Sequence, residues 1–192
     1  MDIIAYAIAY LIGSVPFGLV LTKLAGYGDI RAIGSGNIGA TNVLRTGNKL
    51  LAACTLVLDS GKGAFAVLLL PPLLGGLPIV IGLAAILGHC FPIWLKFKGG
   101  KGVSTAIGIL LAALPLTGLA AFAIWLGMAF TFRISSLAAL TATAATPIIT
   151  LLLYGPFPAL VTTLIAALII WRHKDNIRRL LKGEEPKIGK KK

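Results

Sequence analysis

The chain has 192 residues, 57% of them hydrophobic and 12% charged, with a formal net charge of +12 and a mean hydropathy of +0.93. So few charges cannot cover that much apolar surface in water, which excludes a water-soluble fold and makes the bilayer the natural solvent. The basic residues fall between apolar runs and in the C-terminal tail, not along one exposed face, which argues against nucleic acid and for anionic headgroups or phosphorylated substrates.

A spanning helix needs about 20 apolar residues. The first run, 3–24, follows Asp2 without a basic leader and reads as a retained helix, not a cleaved signal. Runs at 50–74 and 77–95 follow, the former interrupted by Asp59 and Lys62, and each of these two runs holds one cysteine, Cys54 or Cys90, as a packing residue. The stretch 103–132 is long for one helix. Leu114-Pro115-Leu116-Thr117-Gly118 offers a turn that would make it a hairpin of two short helices. Runs at 134–153 and 157–171 complete the set.

Charge decides the count. Lys23, Arg31, Arg45 and Lys49 fall in the first loop, and Lys96, Lys98 and Lys101 after the third run. Arg133 follows the long stretch, and nine Lys or Arg residues lie from Arg172 to Lys192. A hairpin at Pro115 puts all of them on one side, as the positive-inside rule requires. The expectation is an all-α polytopic membrane protein with seven transmembrane helices, N-terminus out and C-terminus cytoplasmic. It forms one domain, 1–192, with cytoplasmic loops at about 25–49 and 96–102 and a tail at about 172–192.

Polarity collects on that cytoplasmic side in three clusters. The first, GSGNIGATNVLRTGN (34–48), has glycines that permit close ligand approach and an anion-binding nest of backbone amides, with Arg45 able to grip a phosphate through two hydrogen bonds. Its G-x-G-x-x-G spacing has no preceding strand, and Ala40 stands where a P-loop needs Lys, so neither nucleotide motif applies. The second, GHCFPIWLKFKGGKGVST (88–105), combines interface aromatics Phe91, Trp94 and Phe97 with a glycine turn around Lys101 that opens a helix and offers free amides. His89 sits inside the span, where a lone histidine is either functional or a helix–helix hydrogen-bonding group. The third, RHKDNIRRLLKGEE (172–185), suggests a short amphipathic surface helix with His173 and Asn176 on one face and Arg178 and Arg179 available to a phosphate. Asp59 and Lys62, three residues apart within a span, can neutralise each other. Arg133 with Ser135 and Ser136 is a weaker candidate.

The carboxylates on this side, Asp29, Asp59, Asp175, Glu184 and Glu185, are scattered, so the pattern does not suit two-metal catalysis. D-x-x-D-G, H-x-x-x-x-D, H-E-x-x-H and G-x-S-x-G are all absent. What remains is a pocket of cations and amide or hydroxyl donors, suited to anionic substrates that are already activated. A transporter for an organic anion would share the cations, but it would call for midplane sites and an internal repeat. A structural scaffold would not need the glycine–cation loops.

SGNIGATNVLR, GHCFPIWLKFKGGKGVST and HKDNIRRLLKGEE, in that order over nearly the whole chain, resemble the bacterial membrane glycerol-3-phosphate acyltransferases that use acyl phosphate as donor. Ser104, where a residue such as Ala is expected, is a small departure. The resemblance implies transfer of a long-chain acyl group from acyl phosphate to the 1-hydroxyl of glycerol 3-phosphate, giving lysophosphatidic acid and phosphate, with no metal or cofactor. It implies a multi-pass monomer in the bacterial cytoplasmic (inner) membrane, in contact with membrane lipids, its site facing the cytoplasm. The expected catalytic residues are Ser35, His173, Asn176 and His89. The expected substrate-binding residues are Gly36, Asn37, Gly39, Thr41, Asn42, Arg45, Lys98, Gly100, Lys101, Gly102, Thr105 and Arg179.

Overall fold

The apolar runs form helices whose large side chains face outward and whose small ones face each other. The computed structural model of the protein describes residues 2–189, and the basic end Lys190 to Lys192 lies outside them. Ten α-helices follow one another: α1 (Asp2–Gly13), α2 (Phe17–Leu24), α3 (Ala40–Val43), α4 (Lys49–Leu74), α5 (Pro78–Cys90), α6 (Val103–Ala113), α7 (Pro115–Phe132), α8 (Ser135–Tyr154), α9 (Pro156–Arg172) and α10 (Lys174–Leu181). Among the described residues there is no strand.

Among the described residues, five segments are long and apolar enough to cross a membrane: α1 with α2, α4, Pro78–Leu95, α7 and α8. A sixth is reached only if α9 and α10, which meet at 62°, count as one. With 11 residues, α6 is about 16 Å long and covers roughly half the hydrocarbon thickness. The break predicted near Pro115 is present. Leu114 leaves the helical region at φ −140°, ψ 70°, and Pro115 opens α7 at the position where a missing N–H costs nothing. A second break, Ser14 to Pro16, divides the apolar run 3–24, whose hydropathy alone predicts one continuous helix; Pro16 at its end is the reason.

Phe130 and Leu152 are 81% and 79% exposed, whereas the interior is built on Ala5, Ala9, Ala66, Ala85, Ile86 and Ile109. In water that outward display would aggregate; in lipid it is the solvated surface. Helices approach through small residues, as packing in lipid favours. A Cβ on Gly88 would lie 2.0 Å from Tyr10 O, and one on Gly108 2.0 Å from Ser60 O, so α5 meets α1 and α6 meets α4 backbone to backbone. Some buried threonines satisfy themselves within their own helices, Thr22 on Gly18 O at 2.7 Å and Thr162 on Ala159 O at 3.0 Å, and others across helices, Thr117 with Thr150 at 3.3 Å.

Candidate active site

Two loops and the C-terminal segment converge at one end of the bundle. The first loop is organised from below by a single residue. Asn42, on α3, is buried. Its amide nitrogen donates to Ile30 O, Ile33 O and Asn37 O at 2.9, 3.1 and 2.8 Å, and its carbonyl oxygen accepts from Ser35 N at 3.0 Å and Ser35 Oγ at 3.3 Å. Ile30, Ile38 and Val43 form a small apolar cluster with Leu19 and Ala52 that seats the loop on α2 and α4. Gly34 takes φ +58°, and a Cβ there would meet Arg45 Nη1 at 2.5 Å, so the half-buried Arg45 side chain lies directly over this glycine.

The second loop is tied on both sides. Gly99 N donates to Cys90 O at 3.1 Å and Gly100 N to His89 O at 3.0 Å. Arg172 donates from Nε to Gly100 O at 3.1 Å and from Nη2 to Gly99 O at 2.9 Å, while its guanidinium lies 5.5 Å from the Phe91 ring centre and 5.8 Å from that of Trp171. The expected nest of free amides is therefore corrected in part. The Gly99 and Gly100 amides are spent on the loop itself, as are those of Ser35 and Gly36, the latter on Ile33 O at 3.1 Å. At the second loop, the amides of the first turn of α6, Val103 to Thr105, precede the first helical donor Ala106 N→Gly102 O and so have no intrahelical acceptor.

Lys101 leaves this loop toward α10 and donates from Nζ to Asn176 Oδ1. Asn176 Nδ2 donates to Glu185 Oε1 at 2.5 Å, Ser136 Oγ donates to the same oxygen at 2.7 Å, and Arg179 Nε reaches Glu185 Oε2 at 2.6 Å. Burial pushes the Glu185 carboxyl up, but these three hydrogen bonds together outweigh it and hold it below its usual range. Burial also pulls Lys101 down to about 8, against the opposing charge of Glu185, so it remains largely protonated at neutral pH. His173 is buried at the joint of α9 and α10. Burial lowers it to about 4, against its hydrogen bond to Ile169 O, so its ring is neutral at pH 7. With Nδ1 donating to Ile169 O at 2.7 Å, Nε2 carries the lone pair.

Between these walls lies a cleft of about 190 Å³ lined by Ser35, Gly36, Asn37, Gly99, Lys101, Trp171, Arg172, Lys174 and Asp175. Four of the residues singled out in the sequence line it directly: Ser35, Gly36, Asn37 and Lys101. Asn176 and Arg179 stand behind Lys101, and Gly100 and Gly102 shape the loop. Gly39 is the residue before α3, at its N-cap, and Thr41 is exposed, facing Ser135 Oγ at 3.0 Å. Lys98 is exposed and does not line the cleft. Arg178 is exposed too, paired with Asp175 at 3.4 Å.

His89 and Thr105 belong to a different, membrane-embedded group. Thr105 Oγ1 lies 3.3 Å from His89 Nδ1, and Asp59 Oδ1 lies 3.8 Å from the same nitrogen. Asp59 accepts from Lys62 Nζ at 2.7 Å, and Lys62 also donates to Val15 O at 2.8 Å, in the break between α1 and α2. A Cβ on Gly100 would sit 2.1 Å from His89 Nε2, so this histidine supports the loop from beneath. Arg172, Ser136 and Glu185 were not singled out as binding residues. The only signal was that Arg172 and Glu185 bound the third polar cluster, and that Ser136 stood beside Arg133. Among the described residues, no three His, Cys, Asp or Glu side chains gather as a metal-ligating group.

A helical protein whose outer surface suits lipid, with a cationic cleft at one end of its bundle, has the make-up of a membrane protein that handles small anions. The chain belongs to the glycerol-3-phosphate acyltransferase family, whose model matches residues 3–183. It is 60% identical over 193 residues to the glycerol-3-phosphate acyltransferase of Caulobacter vibrioides (98% of this chain, 88% of the relative). It is 62% identical over 184 residues to that of Paramagnetospirillum magneticum (95% and 92%). Its fold matches the crystal structure of PlsY (YgiH), an integral membrane glycerol 3-phosphate acyltransferase, in the glycerol 3-phosphate form. There the TM-score is 0.91 at 40% identity, over 98% of this chain and 96% of that one. The lysophosphatidic acid form of the same protein matches with a TM-score of 0.88 at 39% identity, over 98% and 95%.

Proposed function

We propose that this protein transfers a long-chain acyl group from an acyl phosphate to the 1-hydroxyl of glycerol 3-phosphate, releasing lysophosphatidic acid and inorganic phosphate. The observation that carries this reading is a cationic cleft at one end of an apolar bundle, with Lys101 and Arg172 in its lining. Val103 and Ile169, close in the chain to those two residues, line a small separate apolar crevice between α6, α7, α8 and α9, so an amphiphile with its phosphate in the cleft would have apolar helix surface beside it. Family membership and the substrate and product forms of the solved relative supply acceptor and product.

The donor is a mixed anhydride with phosphate as leaving group, so positioning and charge can supply most of the rate without a covalent enzyme intermediate. In this reading, Lys101, Arg45 and the amides opening α6 hold the two phosphates against mutual repulsion. Ser35 and Asn37 orient the glycerol and donate to the oxygen that gains charge. The acceptor oxygen bonds to the acyl carbon as the bond to the phosphate oxygen breaks. The hydroxyl proton passes to a phosphate oxygen of substrate or to His173 Nε2, with Asn176 steadying Lys101. His89 acts by supporting Gly100. The protein works as a monomer in a bacterial inner membrane, crossing seven times with N-terminus out and the cleft facing the cytoplasm; α6 is the short member.

Phosphate release by purified protein, given palmitoyl phosphate and glycerol 3-phosphate with palmitoyl-CoA as a parallel donor, tests the proposal. Release that needs both substrates and forms lysophosphatidic acid is the expected result. Turnover with palmitoyl-CoA alone would overturn the donor, and no turnover with either donor in folded protein would overturn the acyl transfer.

A further inference from the structure

We infer that the outward face of α10 docks on an anionic phospholipid leaflet and that this contact holds the inward face of the helix in the cleft. Lys174, Arg178 and Lys182 are spaced four apart, so on a helix they form one stripe, and all three are exposed; Lys174, its first member, also lines the rim of the cleft, and Arg178 and Lys182 carry the stripe away from it. Leu181, three residues from Arg178, is 84% exposed and borders the same stripe. The opposite face carries buried Asn176 and the inward side chain of Arg179, joined to Lys101 and Glu185. Asp175 offsets part of the positive charge through its contact with Arg178 at 3.4 Å, but both side chains are well exposed, and such a pair is weak in water.

The occupant follows from where the stripe begins. It starts one joint beyond α9, which crosses the membrane in the proposed seven-span topology, and the 62° bend turns it away from the direction of α9. Lys174 Nζ lies 5.9 Å from the ring centre of Trp171, which is exposed at the end of α9, the usual depth marker of a membrane–water interface. A cationic stripe beside one protruding leucine at headgroup depth fits a negatively charged lipid surface. The helix is short and its outward and inward residues alternate turn by turn, so lipid contact on one face bears on Asn176 on the other.

The test uses the full chain in nanodiscs of phosphatidylcholine, with or without phosphatidylglycerol. An environment-sensitive dye is placed on Leu181→Cys in a Cys54→Ala background; the remaining Cys90 is buried. Docking predicts a blue shift of emission on adding phosphatidylglycerol, reversed by salt and absent in the Arg178→Gln, Lys182→Gln double variant. Turnover should rise about threefold with phosphatidylglycerol in the parent, and the double variant should match the parent in neutral discs but lack that rise. Equal emission in both lipids, a shift that persists in the double variant, or one reproduced by inorganic phosphate in neutral discs would overturn the docking. A shift without a rise in turnover would overturn the coupling to the cleft. The emission arm does not depend on the acyl-transfer reading: a shift in protein that forms no lysophosphatidic acid supports docking and sinks that reading.

Discussion

The molecule holds two polar constellations that look alike in sequence and do different work. In the membrane, Asp59, Lys62, His89 and Thr105 close on one another: Lys62 sits between Asp59 and Val15 O, and His89 fills the space under Gly100. At the end of the bundle, Lys101, Asn176, Arg179 and Glu185 form a comparable chain, but it flanks a cleft of about 190 Å³ that is open to a ligand. Burial separates them. Asp59 and Lys62 are 1% and 5% exposed, so their charges have only each other, whereas Lys101 retains a path to the cleft. An intramembrane charge is a functional signal in general, yet here the enclosed group supports the loop and the half-open group flanks the cleft.

Removing one partner of the enclosed pair should have the largest effect on stability. Lys62→Met leaves Asp59 buried without its cation and is expected to cost about 3–5 kcal/mol, read as a lowered thermal midpoint in detergent. Adding Asp59→Asn should recover much of that loss, and a double variant no better than the single would contradict the pairing. Asn42→Leu is next. It leaves carbonyls such as Ile30 O without a donor inside the loop, at about 1–3 kcal/mol, and it should raise KM for glycerol 3-phosphate as Ser35 loses its anchor.

The open group should reveal itself through pH. Lys101 titrates at about 8 in the free protein, and its charge is lost as pH rises. kcat/KM should therefore fall about tenfold per unit above that point. His173, lowered to about 4, is neutral throughout pH 5–9 and should contribute no acid limb there. A rate that climbs between pH 8 and 10 would contradict this assignment. The smallest effect concerns the backbone. Lys96 sits at φ 51° in the left-handed region, so Lys96→Gly should stabilise the protein by about 1 kcal/mol in chemical denaturation, with turnover unchanged.

Local signals were legible before the structure was. Pro115 announced the α6–α7 break, the apolar runs announced the helices to within a few residues, and Lys101 with its glycines announced the cleft. Pro16 carries the same kind of signal, but the run around it is apolar enough to read as continuous. The roles of Asn42 and Arg172 were not legible, since they rest on contacts such as Arg172 to Gly99 and Gly100, some 72 residues away in the chain, which no periodicity records. Nor was the fate of the glycine amides. A glycine-rich stretch permits an anion nest, but whether its N–H groups face a ligand or its own loop is decided by tertiary hydrogen bonds. Arg178 and Arg179, equivalent in sequence, part company because a helix turns each residue by about 100°, sending one to Glu185 and the other to the exposed face.

The central claim is that Lys101 is the cation that holds substrate phosphate, and the most direct measurement is kcat/KM for glycerol 3-phosphate in Lys101→Met beside the parent, with lysophosphatidic acid as the product followed. The expected result is a fall of about 10²-fold or more with the thermal midpoint nearly unchanged. Turnover indistinguishable from the parent in equally folded protein would contradict the account.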